Sequence, residues 1–259
     1  MTYYWALLYA FALLSRVPMP FIKRTDSQVA QASLWFYPLV GLVLGATLLL
    51  VAVACVAYHP KVPLVALAGL LLFVWVIFTG AIHLDGLGDT ADAWVGGMVS
   101  RERTLEIMQD PRSGAMGVVA IVTVLILKFS ALLALLQQAY VAPSWNIWLL
   151  LAGLVWVPAA ARASILPMMA SLTYVRVQGM ASQTQSGANW LKAGVWVGLL
   201  ALLAVPLLQA KVILVLLFWC ALVAYLRYLF KRRLGGYTGD LLGATVELLE
   251  AFLLLALVL

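Results

Sequence analysis

Long apolar runs alternate with short polar breaks along this chain. Runs at about 34–57, 63–82, 114–137, 145–170, 191–209, 211–230 and 241–259 each approach the ~20 residues a helix needs to cross a bilayer. The pattern predicts an all-α, polytopic membrane bundle of about seven spans. Residues 3–15 are also apolar but too short to span, and they run into Ser15-Arg16-Val17-Pro18-Met19-Pro20. Two prolines two apart cannot continue a helix, so this segment is expected to be an interfacial or re-entrant helix. It lacks a basic leader and a small-residue cleavage site, and so reads as retained. No polar stretch is long enough for a separate soluble domain; residues 1–259 form one membrane domain. Pro158 and Pro167 predict kinks in the run 145–170, and the small polar residues of 178–189 predict a mobile loop.

Composition agrees. The 259 residues are 65% hydrophobic and only 10% charged, with a mean hydropathy of +1.06, whereas soluble domains carry about 25% charged residues. Cys55 and Cys220 lie in apolar runs and suggest neither a disulfide framework nor a metal site. The net charge of +6 has a topological reading. Arg16, Lys23, Arg24, Arg101, Arg103, Arg112, Arg176, Lys192, Arg227, Lys231, Arg232 and Arg233 all fall in connections on one side of the bundle; only Lys61 and Lys211 fall on the other. This bias assigns the long loops 16–33, 83–113 and 171–190 to the cytoplasm. The basic excess therefore calls for a lipid bilayer, and no nucleic acid is expected as a partner.

Acidic residues are scarcer and more informative. Nine of the ten lie in two clusters: Asp85, Asp89, Asp92, Glu102, Glu106 and Asp110, then Asp240, Glu247 and Glu250. A carboxylate near lipid is costly, so clustering needs a cause. Asp85, Asp89 and Asp92, at i, i+4 and i+7, would share one helix face, where they repel unless a cation joins them. Gly86 and Gly88 are interleaved and would let backbone approach a ligand. Mg²⁺ takes one or two carboxylates together with water and phosphate oxygens, so the stretch is a candidate Mg²⁺–diphosphate site. Arg101, Arg103 and Arg112 could hold the phosphates, although alternating charges on SRERTLEIMQD would also suit an ordinary solvated surface helix.

The second cluster, RRLGGYTGDLLGATVELLE, places Asp240 and Glu247 on one face of the last helix as further metal candidates. Thr238 or Gly239 would cap that helix. Gly236, Thr238 and Gly239 would frame a helix N-terminus suited to phosphate. Lys128 and Arg162 fall within spans and should face the bundle interior; Arg162 is expected to meet a buried acid or an anionic ligand. His83 opens the first motif, either as general base or as hydrogen-bond partner to a carboxylate.

FTGAIHLDGLGDTADAW, RERTLEIMQDPRSGAMG and GGYTGDLLGATVELLE, with SRVPMP and FYPLVGLVLGA before them, resemble the cobalamin synthase family, the adenosylcobinamide-GDP ribazoletransferases. The resemblance runs through nearly the whole chain in order, and the HLDGLGDTAD block is its most specific part. It implies an enzyme of the prokaryotic inner membrane, with Mg²⁺ as cofactor and an active site facing the cytoplasm. Adenosylcobinamide-GDP and α-ribazole or its 5′-phosphate would be the substrates, and GMP and adenosylcobalamin or its 5′-phosphate the products. A homo-oligomer is compatible with it. Two other classes share some features. A CDP-alcohol-type phosphotransferase also uses clustered Asp and Mg²⁺, but here Leu-Gly-Asp-Thr follows Asp85-Gly86 where that class has Ala-Arg. A transporter would place its acids in broken helices at mid-membrane.

Overall fold

The computed structural model describes residues 1–141, 146–176 and 184–259. Helix α1 (Thr2–Leu14) packs on α2 (Ser27–Ser33), which leads through a short 3-10 turn into α3 (Tyr37–Tyr58). Next come α4 (Leu64–Thr79), α5 (Ile82–Gly96), the short α6 (Arg101–Ile107) and the long α7 (Ala115–Val141). One apolar span is divided into α8 (Ile147–Leu150), a π-helical stretch at Leu151–Trp156, α9 (Val157–Ala163) and α10 (Ile165–Ser171). Strand β1 (Thr173–Tyr174), α11 (Trp190–Leu208), α12 (Val212–Leu234), β2 (Gly236–Tyr237) and α13 (Gly239–Val258) complete the chain. This is a polytopic membrane helical bundle.

By length and composition five helical units can cross a membrane, or six when α4 and α5 count as one bent span. The expected seven differ for two reasons. The unit Trp190–Leu234 is counted once, although it turns at Gln209, whose φ of 47° lies in the left-handed region, and α11 packs back on α12. The run 63–82 yields an α4 of 16 residues, or roughly 24 Å, shorter than a bilayer core. The run 145–170 is interrupted by the π-helical stretch that ends just before Pro158 and again at Ser164, three residues before Pro167. The segment 178–189 lies largely outside the described residues; Gln185–Gly187 form one 3-10 turn.

The break between α4 and α5 matters most for the site. Gly80 and Ala81 both have φ near +59° (59° and 58°), and the helices meet at 86°. A side chain at Gly80 would collide with Arg16, whose backbone N–H donates to Phe78 O at 2.8 Å. The chain leaving α1 is thereby fastened over the break. Helix α5 then runs between α13 and α7, where Leu84, Leu87, Val124, Ala244 and Ala251 form a small core. The central helix α13 is buried along most of its length.

Candidate functional site

Two close helix contacts assemble the site. A Cβ on Gly86 would lie 2.9 Å from Asp240 Cα, and one on Gly243 would lie 3.3 Å from His83 Cα. Only glycine lets α5 and α13 approach this closely, so the aspartate-bearing helix α5 and the start of α13, far apart in sequence, meet at one place. The glycines bring helices together where ligand contact was expected. Gly88 likewise faces Ile121 and Gly117 of α7, and Gly236 faces Thr173 O in the strand pair. Of the glycines singled out from sequence, Gly239 has open space around it and borders the cavity.

That cavity has a volume of about 170 Å³. His83 and Asp85 of α5 border it, as do Gly239, Asp240 and Gly243 of α13. The opposite wall comes from Ile165, Met169, Tyr174 and Arg176. Thr238 Oγ1 accepts from Leu241 N at 3.2 Å and caps α13; the residue is fully buried. The first N–H groups of α13 open beside Gly239 and Asp240 at the positive end of the helix dipole.

The carboxylates divide by what they touch. The carboxylates of Asp85 and Asp89 make no hydrogen bond or ion pair among the described residues. Asp89 sits one turn beyond Asp85, within the field of Asp240, Asp85 and Asp92 and of one cation, Arg176. Asp92 is committed elsewhere: Gly114 N donates to its Oδ2 at 2.7 Å and Gly117 N to its Oδ1 at 2.9 Å. It thus caps the start of α7 with a negative charge, a favourable place for one. Asp240 is held by the Arg176 guanidinium.

Glu247 is also committed. Lys128 Nζ lies 2.7 Å from Glu247 Oε2 and 2.5 Å from Glu250 Oε2. Arg162 Nη1 lies 2.7 Å from Glu250 Oε1, and Trp75 Nε1 donates to Glu250 Oε2 at 3.0 Å. All four charged side chains are at most 2% exposed. Two cations and two anions cancel inside the bundle, which is how buried charges are tolerated. The expected acid partner of Arg162 is Glu250, and Glu247 serves as the counter-ion of Lys128 where a metal ligand was expected.

The exposed arginines of the 101–112 stretch lie outside the cavity wall. Ser100 caps α6 by accepting from Arg103 N at 3.1 Å. Arg103 pairs with Glu106 at 2.7 Å, Arg101 is exposed, and Arg112 grips Asp110 with bonds of 2.9 and 2.6 Å. The bound guanidinium holds the Asp110 carboxyl down at about 2. The cation that does line the cavity, Arg176, was missed as a site residue. The signal for it is the parallel pairing of Tyr174 with Tyr237, which ends two residues before Arg176 and Gly239 border the same cavity; so short a strand pair has almost no sequence signature.

His83 is 4% exposed, and neither ring nitrogen has a hydrogen-bond partner. His83 also borders the cavity, and an imidazole nitrogen without a partner is the kind of group that serves as a general base once a hydroxyl comes within hydrogen-bond reach. Among the described residues no group of three or more His, Cys, Asp or Glu is gathered to hold a metal unaided. The unengaged pair Asp85 and Asp89 still fits Mg²⁺, whose shell is usually completed by water and phosphate oxygens.

Fold and site together define a polytopic membrane helical protein with a cavity at the N-terminal end of its central helix, bordered by Asp85, Asp240 and Arg176. A family model described as cobalamin-5-phosphate synthase matches residues 6–258, and the chain belongs to that family. It is 44% identical over 254 residues to an adenosylcobinamide-GDP ribazoletransferase of Pseudomonas fluorescens (strain Pf0-1), covering 96% of this chain and 97% of the relative. It is 42% identical over 253 residues to the enzyme of the same description from Pseudomonas syringae pv. syringae (strain B728a), with the same coverage. No solved structure matches it.

Proposed function

We propose that this chain is an adenosylcobinamide-GDP ribazoletransferase. It joins the cobinamide phosphate of adenosylcobinamide-GDP to α-ribazole or α-ribazole 5′-phosphate and releases GMP. The observation that carries this reading is the meeting of α5 and α13 at one cavity in a chain matched along almost its whole length by that family. The bias of basic residues supports a cavity opening to the cytoplasm at the inner membrane.

In the reaction a ribose hydroxyl of the ribazole attacks the diphosphate phosphorus that carries cobinamide. The bond from that phosphorus to the bridging oxygen breaks, and GMP leaves with the oxygen. Asp85 and Asp89 would hold Mg²⁺, with Asp240 close by. When bound, the ion neutralises the diphosphate and the charge growing on the leaving group. His83 takes the hydroxyl proton at one of its unengaged nitrogens. The first turn of α13 offers N–H groups to a phosphate oxygen. Leu13, Leu14, Ile165, Met169 and Leu242 line the remaining wall and keep bulk water from the reacting phosphorus.

The test uses the full chain in proteoliposomes with adenosylcobinamide-GDP. GMP should appear only when α-ribazole 5′-phosphate and Mg²⁺ are both present, in equal amount with the cobalamin product. GMP release that proceeds at the same rate without the ribazole would reject transfer in favour of hydrolysis.

A further inference from the structure

Arg176 has the environment of a ligand-binding group. Among the described residues it is the single Lys or Arg bordering the cavity. Its side chain is 16% exposed. One Nη2 donates to Met108 O at 2.9 Å, and the same end of the guanidinium meets the Asp240 carboxylate. Nε is buried without a partner. A guanidinium has five donors in a planar fork, and burying one without an acceptor is costly. The β1–β2 pairing, with Val175 N donating to Tyr237 O at 3.0 Å, fixes the backbone from which the side chain projects. Met108 O and the Asp240 carboxylate both meet Nη2, and the side chain borders the cavity beside Gly239 and Asp240.

We infer that Arg176 binds the diphosphate of the nucleotide-activated substrate, with Asp240 holding its fork in place until phosphate oxygens take over. The inference rests on the transferase reading and adds the residue that grips the diphosphate. A planar fork matches two phosphate oxygens at once, which a lysine cannot reproduce. Asp240 competes with the ligand for the same donors, so a carboxylate that elsewhere would only repel phosphate here sets the direction of the arginine.

The test measures binding of GDP, as a nucleoside diphosphate probe, to the full chain in neutral-lipid nanodiscs with EDTA present, so that metal ligation does not contribute. Arg176→Ala should weaken GDP binding about 10- to 100-fold, the range expected for lost charge-assisted bonds. Arg176→Lys should recover only part of it. GDP affinity within about twofold of wild type in Arg176→Ala overturns the inference, as does wild-type protein that does not bind GDP. If Arg176→Ala does not fold, Arg176→Lys decides the matter: a raised KM for adenosylcobinamide-GDP with little change in kcat supports binding, and an unchanged KM rejects it. Wild type that binds GDP through Arg176 yet never releases GMP from adenosylcobinamide-GDP would sink the transferase reading and leave the diphosphate site standing.

Discussion

Glu250→Gln is the sharpest probe of what holds the bundle around its site. Glu250 is fully buried and accepts from Lys128, Arg162 and Trp75. The amide keeps the shape and one acceptor but deletes one of two anions facing two cations. Lys128 retains Glu247, whereas Arg162 is left with Pro158 O at 2.9 Å and no carboxylate. Removing one partner of a buried ion pair costs about 3–5 kcal/mol, a large share of the ~5–15 kcal/mol that a typical domain has in total. In a chain of this size that corresponds to a fall in Tm of roughly 6–20 °C. The assay is thermal unfolding of purified protein in nanodiscs, followed by the near-ultraviolet signal of the tryptophans. Arg162→Met combined with Glu250→Gln restores neutrality, so the double variant should be more stable than the sum of the two single losses implies. A Tm for Glu250→Gln within about 2 °C of wild type, or strictly additive losses in the double variant, would refute the network as a structural keystone.

Asp85→Asn and Asp89→Asn should each lower GMP release by about 100-fold or more, with residual activity that needs more Mg²⁺; near-normal turnover at limiting Mg²⁺ would remove them from the metal site. Asp92→Asn should behave differently, losing about 1–2 kcal/mol of stability through a weakened α7 cap with no rise in the Mg²⁺ requirement, as read by thermal unfolding beside a Mg²⁺ titration. His83→Ala should slow turnover about 100-fold with little change in KM for the nucleotide-activated corrin; a His83→Gln variant that regains most activity would show that the imidazole orients a neighbour rather than accepting the proton. Arg101→Ala and Arg112→Ala should leave kcat/KM within about twofold, since both side chains lie on the outer surface; a tenfold loss in either would return them to the phosphate site.

Much of this architecture is written in periodicity. Apolar runs longer than a soluble helix needs gave the bundle, and the i, i+4, i+7 spacing of Asp85, Asp89 and Asp92 gave one helix face, because both follow from local helical geometry. The unfavourable placement of Lys128 and Arg162 also announced buried partners. What pairs with what was less legible. Asp92 and Glu247 look like their neighbours in sequence, but the start of α7 claims one and Lys128 the other, and both claims come from across the bundle. The glycines of HLDGLG invite a ligand reading, since close approach to a phosphate and close approach to a helix require the same missing Cβ. Arg176 stood among twelve basic residues and was distinguished only by a two-residue strand pair. Span count was blurred because hydropathy cannot see the 86° turn at Gly80-Ala81, whereas the turn at Gln209 was legible as the gap between the runs 191–209 and 211–230.

The fate of one phosphorus atom tests the proposed transfer most directly. Adenosylcobinamide-GDP labelled at the cobinamide-attached phosphorus is incubated with α-ribazole 5′-phosphate, Mg²⁺ and the full chain in liposomes, and the products are separated. The label should appear quantitatively in the phosphodiester of the corrin product, with released GMP unlabelled. Label in GDP or inorganic phosphate, or a corrin product that carries none, would contradict attack at that phosphorus and the transferase built on it.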